Sequence, residues 1–259
     1  QTLEELGNTI AVASKKSNKN LKEIIEDIGS ERINKVNRRK YMQHALAFKL
    51  GEFLLVLTAM ILGTPSPLSI LAILAIDIGV NTILELALKK DPTKINVMKK
   101  DLKVLETKTN KYRILINGLT IYLISLGIYL FSLVRYGWVL GEDISTKETV
   151  LMKTSASIFV LLSFIQIFNA LNFKSVKTSI FSKKTFKNYY LILTAIITIL
   201  ITYLLTISPE IQSALALSPL SAIEWQIVTF SAFGIILVEE TAKFIKRNFY
   251  KNEIGTPEK

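Results

Sequence analysis

The chain has 259 residues, half of them hydrophobic, a formal net charge of +11 and no cysteine. The lack of cysteine excludes a disulfide framework and a thiolate metal site. The apolar residues form long blocks with the lysines gathered between them. The positive charge therefore indicates loops at an anionic membrane surface rather than nucleic-acid binding.

The first 44 residues are polar and are predicted to be cytoplasmic. The polar start at Gln1, without a signal peptide, favours a chain that begins inside a longer protein. Residues 21–28 carry a helical apolar stripe, and residues 31–40 are strongly basic. No Pro or Gly lies between Ser30 and Leu50, so we expect one stalk helix that continues into the membrane.

Six apolar blocks follow, each about twenty residues long and therefore able to cross a bilayer core of roughly 30 Å. They are Ala45–Gly63, Leu68–Leu88, Ile114–Val134, Val150–Leu171, Tyr189–Thr206 and Ile223–Lys243. The first two are joined by a short Pro-containing turn at residues 64–67, which predicts a helical hairpin. The expected fold is an all-α, polytopic membrane protein with six transmembrane helices and a cytoplasmic N-terminal stalk helix.

The distribution of Lys and Arg between the loops predicts the orientation. The loops after the second and fourth blocks and the stretch after the sixth are rich in lysine, whereas the opposite loops are acidic or nearly uncharged. We therefore expect both termini on the cytoplasmic side. The domain prediction is a cytoplasmic part at 1–44, a transmembrane part at 45–247 and a cytoplasmic tail at 248–259.

Polar groups inside apolar spans are the candidate functional residues, because each is costly in lipid unless it faces the bundle interior. Glu52 lies about two turns into the first span. Asp77, Asn81 and Glu85 follow one another at intervals of four residues in the second span, so they share a helix face.

The fourth span has Gln166, Asn169 and Asn172 at intervals of three residues, again on one face. Carboxylates and carboxamides together offer hard oxygen ligands, which suit Ca²⁺, Na⁺, K⁺ or protons. The alternative for Gln166 and Asn172 is hydrogen bonding between helices.

Several charged residues also have structural interpretations. Glu52 can pair with Lys49, which can instead extend toward the membrane interface, and Glu85 can pair with Lys89 at i, i+4. The lone histidine, His44, is expected at the interface. Asp77 has no basic residue within two turns on its own helix, which favours a functional role.

Two further acids, Glu239 and Glu240, lie at the inner end of the last span, within helical reach of Lys243. The ordinary interpretation is a charged helix end.

Four stretches resemble the C-terminal third of cation-transporting P-type ATPases, the group of the calcium and sodium/potassium pumps. They are Leu50–Val56, Leu62–Pro65, Ile73–Asn81 and Gln166–Asn172, in the order and at the separations of the family's fifth, sixth and eighth membrane helices. Weaker similarity is found at Leu6–Ser14, Leu217–Ser221 and Glu239–Arg247.

The resemblance implies a cation-transport domain that moves Ca²⁺, Na⁺/K⁺ or H⁺ by alternating access. It implies cation ligands at Glu52, Asp77, Asn81, Gln166 and Asn169. No catalytic or cofactor-binding residue is assigned. The implied partners are the lipid bilayer and a catalytic ATPase part, on the same longer chain or on a separate subunit, which would bind ATP and Mg²⁺.

The chain also departs from the family pattern. Asn81 replaces the usual second Asp, the usual Pro-Ala pair is absent at Ile83 and Leu84, and the phosphorylation motifs are missing. Fewer carboxylates should weaken divalent binding. The alternatives are a fragment of a pump, a split pump, or a degenerate, non-catalytic membrane subunit. A secondary transporter would be expected to show an internal repeat, which is not evident.

Overall fold

The computed structural model describes residues 21–90, 111–139, 147–174, 179–182 and 188–249. These ranges contain helices and no strand. In chain order the elements are α1 (Leu21–Ile61), α2 (Ile70–Leu74), a π-helix (Ala75–Asn81), α3 (Thr82–Lys89), α4 (Lys111–Arg135), α5 (Glu148–Phe173), α6 (Tyr189–Ile207), α7 (Pro209–Leu215), α8 (Ala222–Ala232) and α9 (Gly234–Phe249).

Six helical stretches are long and apolar enough to cross a membrane. Their ends agree with the six predicted spans to within three residues, except that the first stretch reaches back to Lys22. The predicted all-α, six-span fold is therefore confirmed. Most of the lysines behind the orientation lie in segments outside the described residues, as does the stretch 1–20. The orientation and the domain limits accordingly stay predictions.

Helix α1 is unbroken over 41 residues, as predicted for the stalk and first span. At 1.5 Å per residue it is about 60 Å long, twice the bilayer core. It crosses α4 closely where Gly51 and Gly118 face each other's helices. A Cβ atom on Gly51 would lie 2.6 Å from the Ile121 side chain, and one on Gly118 would lie 2.7 Å from Leu50. The two glycines thus let these helices approach at the depth of Glu52.

The turn between the first two spans is held by side-chain hydrogen bonds. Gly63 adopts a φ of +67° and ends α1. The hydroxyl of Thr64 donates to the carbonyl of Ala59 at 3.0 Å, and Tyr129 of α4 donates to the Thr64 hydroxyl at 2.8 Å. Ser69 then caps α2 by accepting from the backbone of Ala72. The predicted helical hairpin forms, and its turn is anchored to α4.

Two spans are interrupted in ways that the apolar pattern did not predict. The second contains the π-helix, which runs from Ala75 to Asn81 and so includes Asp77. The sixth is divided at Phe233 into α8 and α9. Helix α8 itself starts with a capping box, in which Ser221 and Glu224 bond to each other's backbone N–H groups. Of the two interruptions, the π-helix around Asp77 is of the kind that occurs frequently at functional sites.

Helix α5 is the centre of the bundle. In its most apolar window 83% of the residues are buried, against 22–39% in the other five spans. It packs against α1, α4, α6, α8, α9 and the π-helix. Polar side chains on α5 therefore face protein rather than lipid, which is the condition for a binding role at Gln166 and Asn169.

Candidate cation site

Lys49 joins the first two spans through an ion-pair cluster. Its Nζ lies 2.6 Å from Glu52 Oε2, 2.5 Å from Asp77 Oδ1 and 2.6 Å from Asp77 Oδ2. Lys49 and Glu52 are three residues apart and so lie on one face of α1. The short hairpin places the π-helix against that face. Asp77 thus has a basic partner after all, on the neighbouring helix rather than on its own.

Asn81 lies at the end of the π-helix and is buried. Its Nδ2 donates to Glu85 Oε1 at 3.0 Å, while its Oδ1 makes no hydrogen bond among the described residues. The hydroxyl of Thr82 donates to the carbonyl of Asp77 at 3.1 Å. Asp77 is therefore held toward α1 by Lys49, and Asn81 is held toward Glu85 with its oxygen free.

Gln166 and Asn169 are fully buried on α5. Neither side-chain polar atom of Gln166 has a hydrogen-bond partner in the described part of the chain, and the same holds for Asn169 Oδ1. Asn169 Nδ2 lies 3.1 Å from His44 Nδ1. The ring of His44 is completely buried between α1 and α5, edge-on to Phe173. Its expected position at the membrane interface stays a prediction.

Four of the five predicted ligands have a buried side-chain oxygen that makes no hydrogen bond to any described residue. These oxygens are Glu52 Oε1, Asn81 Oδ1, Gln166 Oε1 and Asn169 Oδ1. Buried polar groups are normally hydrogen-bonded, so a group of unbonded ones needs an explanation. Oxygen atoms from carboxylate and amide groups are suited to hard cations.

The carboxylates of the cluster do not by themselves make a dense acidic site. Within the described residues, no group of three or more His, Cys, Asp or Glu side chains could hold a metal ion. Glu52 and Asp77 meet at Lys49, and Glu85 bonds to Asn81. Besides these carboxylates, the predicted site residues with an unbonded buried oxygen are Asn81, Gln166 and Asn169.

A second ion pair, between Arg113 of α4 and Glu239 of α9, is deeply buried. Arg113 Nε donates to Glu239 Oε1 at 2.8 Å, and Arg113 Nη2 donates to the backbone carbonyl of Asn172 at 2.8 Å. Asn117 donates to Glu239 Oε2 at 2.9 Å, and the guanidinium lies over the ring of Phe173. Glu239 is thus paired with Arg113 and does not merely complete a charged helix end.

The neighbouring acid, Glu240, follows the sequence-based expectation more closely. It accepts from Lys243 at 3.2 Å and also from the backbone N–H of Ile180 at 2.9 Å. Both acids at this helix end are therefore fixed to other elements. The contacts in this region hold α4, α5 and α9 together.

Lys49 is the site residue that the sequence analysis did not assign. The available signal was a basic residue inside an apolar span, one turn before an acid. The pairing of Arg113 with Glu239 had no such signal, because the two residues are separated by 126 positions. His44 was likewise recognised as the lone histidine, but nothing local indicated that it contacts Asn169.

Comparison with known proteins agrees with the resemblance in the sequence. Residues 65–245 match the family described as "Cation transporting ATPase, C-terminus". The chain is 26% identical over 225 residues to calcium-transporting ATPase 1 of Bacillus cereus, covering 82% of this chain and 25% of that protein. It is 25% identical over 279 residues to a calcium-transporting ATPase of Plasmodium falciparum, covering 92% and 22%.

A third relative is the endoplasmic reticulum-type calcium-transporting ATPase 3 of Arabidopsis thaliana, 24% identical over 277 residues, covering 94% of this chain and 27% of that protein. The chain thus spans about a quarter of the length of the curated relatives it matches. The matched region contains the π-helix, α5 and all the later spans. The chain belongs to the family of cation-transporting ATPases and corresponds to their C-terminal membrane region.

Proposed function

We propose that this chain is the membrane transport part of an ATP-driven cation pump. The cation binds between α1, the π-helix and α5, with Glu52, Asn81, Gln166 and Asn169 as its ligands. Asp77, whose two oxygens contact Lys49 in this structure, is the second carboxylate of the site. The observation that carries the proposal is the set of buried oxygens without hydrogen-bond partners on four of these residues. Family membership and the calcium transport named for the relatives support it further.

The mechanism that we propose is alternating access driven through α1. This helix is continuous from its basic N-terminal half to Glu52, so a tilt of its outer end moves Lys49 and Glu52 relative to Asp77. Such a tilt would follow phosphorylation of an Asp in a catalytic part that binds ATP and Mg²⁺. That part lies on the same longer chain or on a separate subunit. Both termini face the cytosol, as the lysine distribution favours.

The orientation can be tested by cysteine labelling, because the chain has no native cysteine. Single variants Ser213→Cys, before the last span, and Thr256→Cys, in the C-terminal tail, would be exposed to an impermeant maleimide on intact cells. We expect labelling of the first without permeabilisation and of the second only after it. The reverse pattern would contradict the proposed orientation.

The cation site is tested by Asp77→Ala in the complete protein. We expect loss of cation-dependent phosphorylation and a loss of cation binding of at least about tenfold, because the variant removes one of the two carboxylate charges of the site. Glu31→Ala is the matched control, since this exposed carboxylate of α1 pairs with Lys35 at the surface. Unchanged cation dependence in Asp77→Ala would overturn the site assignment.

A second candidate function is a membrane subunit that has kept the fold and lost transport. The observation that favours it is that the Lys49 ammonium forms ion pairs with both Glu52 and Asp77. The two candidates differ in one measurement. Wild-type protein in lipid nanodiscs binds a cation in an Asp77-dependent manner if it transports, and binds none if it is only a structural subunit.

A further inference from the structure

The position of Lys49 bears on which cations the site can accept. Its ammonium contacts one oxygen of Glu52 and both oxygens of Asp77 at 2.5–2.6 Å. An ammonium has three N–H donors, so these contacts use all of them. The side chain is 44% exposed at the protein surface, whereas that of Glu52 is 8% exposed. A lysine in an apolar span is costly unless it is paired, which favours this arrangement inside a membrane.

The charges around this cluster can be counted from the contacts. Glu52 and Asp77 contribute two negative charges, and Lys49 contributes one positive charge. Glu85 lies one turn beyond Asn81 and has Lys89 at i+4 as its basic neighbour. The α5 residues assigned to the site, Gln166 and Asn169, are neutral. With Lys49 in place, the cluster therefore carries a net charge of about −1, which matches one monovalent cation.

The available ligands lead to the same conclusion. Because Lys49 uses both oxygens of Asp77 and one of Glu52, the free oxygens are Glu52 Oε1, Asn81 Oδ1, Gln166 Oε1 and Asn169 Oδ1. Only one of these four belongs to a carboxylate. Calcium sites in proteins use about six to eight oxygens, several of them from carboxylates. A Ca²⁺ ion would also repel the ammonium with twice the charge of a monovalent ion.

We propose that Lys49 is a specificity-determining residue whose tethered ammonium keeps divalent cations out of the site and leaves room for one monovalent cation. This inference rests on the proposed function. It separates this chain from what the names of its relatives suggest, since those proteins are calcium-transporting ATPases. Removal of the ammonium leaves two carboxylates and their oxygens free, which is the combination that a divalent ion requires.

The test is equilibrium binding of ⁴⁵Ca²⁺, ²²Na⁺ and ⁸⁶Rb⁺ to the full-length protein in lipid nanodiscs. The variants are Lys49→Met, which removes the charge, and Lys49→Arg, which keeps it. Lys35→Met is the matched control, because it removes a lysine from the same helix at an exposed surface pair. Lys49→Met/Asp77→Asn shows whether any new binding uses the freed carboxylate. Elution in size-exclusion chromatography and the circular dichroism spectrum check that each variant is folded.

We expect Lys49→Met to bind ⁴⁵Ca²⁺ at least about tenfold more tightly than the wild type. Lys49→Arg keeps the charge and should not gain ⁴⁵Ca²⁺ binding. Lys35→Met should resemble the wild type, and the double variant should lose the gain. Wild-type protein that binds ⁴⁵Ca²⁺ as tightly as Lys49→Met overturns the role of Lys49 and leaves the proposed function intact. If neither the wild type nor Lys49→Met shows Asp77-dependent binding of any of the three ions, the cation site itself is overturned.

The inference can also be decided without Lys49→Met, should that variant not fold. Wild-type binding is then compared with that of Asp77→Ala. Asp77-dependent binding of ²²Na⁺ or ⁸⁶Rb⁺ that is tighter than binding of ⁴⁵Ca²⁺ supports the monovalent preference that the role of Lys49 requires. The opposite order of affinities overturns it.

Discussion

The clusters around Arg113 and around Lys49 both pair a basic side chain with carboxylates across membrane helices, but they differ in how completely their polar groups are bonded. The carboxylate of Glu239 accepts from Arg113 and from Asn117, and its cluster is almost fully buried. The carboxylate of Glu52 uses one oxygen for Lys49 and leaves the other without a partner among the described residues.

This difference separates a structural pair from a candidate binding site. A saturated, buried pair has only one favourable arrangement, so it fixes α4 against α9. An unsaturated cluster leaves buried oxygens without a partner among the described residues, and these are the atoms proposed as cation ligands. The presence of a charge inside a span therefore does not by itself indicate transport. The distinguishing feature is the unbonded oxygen on the paired carboxylate itself, since Asn172 Oδ1 near Arg113 also lacks a partner among the described residues.

The largest effect should come from breaking the saturated pair with Arg113→Met. This change leaves Glu239 buried without its cationic partner, which typically costs about 3–5 kcal/mol in the free energy of unfolding. Detergent-induced unfolding in mixed micelles measures the loss. Arg135→Met, at the exposed end of the same helix, is the matched control and should change little. A stable Arg113→Met protein would contradict the structural role of this pair.

An intermediate effect is expected from Gly51→Ala, which tests how the bundle supports the unsaturated cluster. The added Cβ would lie 2.6 Å from Ile121, so α1 must move away from α4. We expect a stability loss of about 1–3 kcal/mol, as for an overpacked core. Because Glu52 is the next residue, cation binding should weaken as well.

Gly29→Ala on the same helix provides the control for Gly51→Ala. A Cβ atom at Gly29 would meet nothing within 4 Å. Alanine is the better helix former by roughly 0.5–1 kcal/mol, so this variant should be as stable as the wild type or more stable. Equal behaviour of the two variants in unfolding and in cation binding would show that the close helix crossing is not important.

The smallest effect on stability should follow Gln166→Met. This variant tests whether Gln166 is a cation ligand or forms hydrogen bonds that hold helices together. The side-chain polar atoms of Gln166 have no partner among the described residues, so a similarly sized apolar side chain should leave the free energy of unfolding nearly unchanged or raise it slightly. Cation binding should nevertheless weaken. A large stability loss with unchanged binding would instead assign Gln166 to helix packing.

Much of the architecture could be predicted from the sequence. The six spans, the hairpin and the unbroken stalk helix followed from apolar block length, from the Pro-containing turn and from the lack of breakers between residues 30 and 50. The interruptions could not be predicted in this way. The π-helix around Asp77 and the division at Phe233 depend on how the second and sixth spans pack, and neither leaves a distinct apolar pattern.

The candidate site, too, could be predicted only in part from the sequence. Residue type and position within a span identified Glu52, Asp77, Asn81, Gln166 and Asn169 as polar groups in an apolar environment, and their role as ligands stays a prediction. The sequence did not indicate that Lys49 would reach Asp77. That contact joins residues 28 positions apart and depends on the rotation of two helices about their axes.

By itself, the sequence determined which segments can enter a bilayer, which polar residues lie within them and which family the chain resembles. These properties are local, because the transfer of a segment into lipid depends on its own composition. Only the tertiary structure decided the contact of Lys49 with Asp77 and the partners of His44, Arg113 and Glu239. Such partners depend on crossing angles and helix rotations, which are set by close contacts such as the one between Gly51 and Gly118.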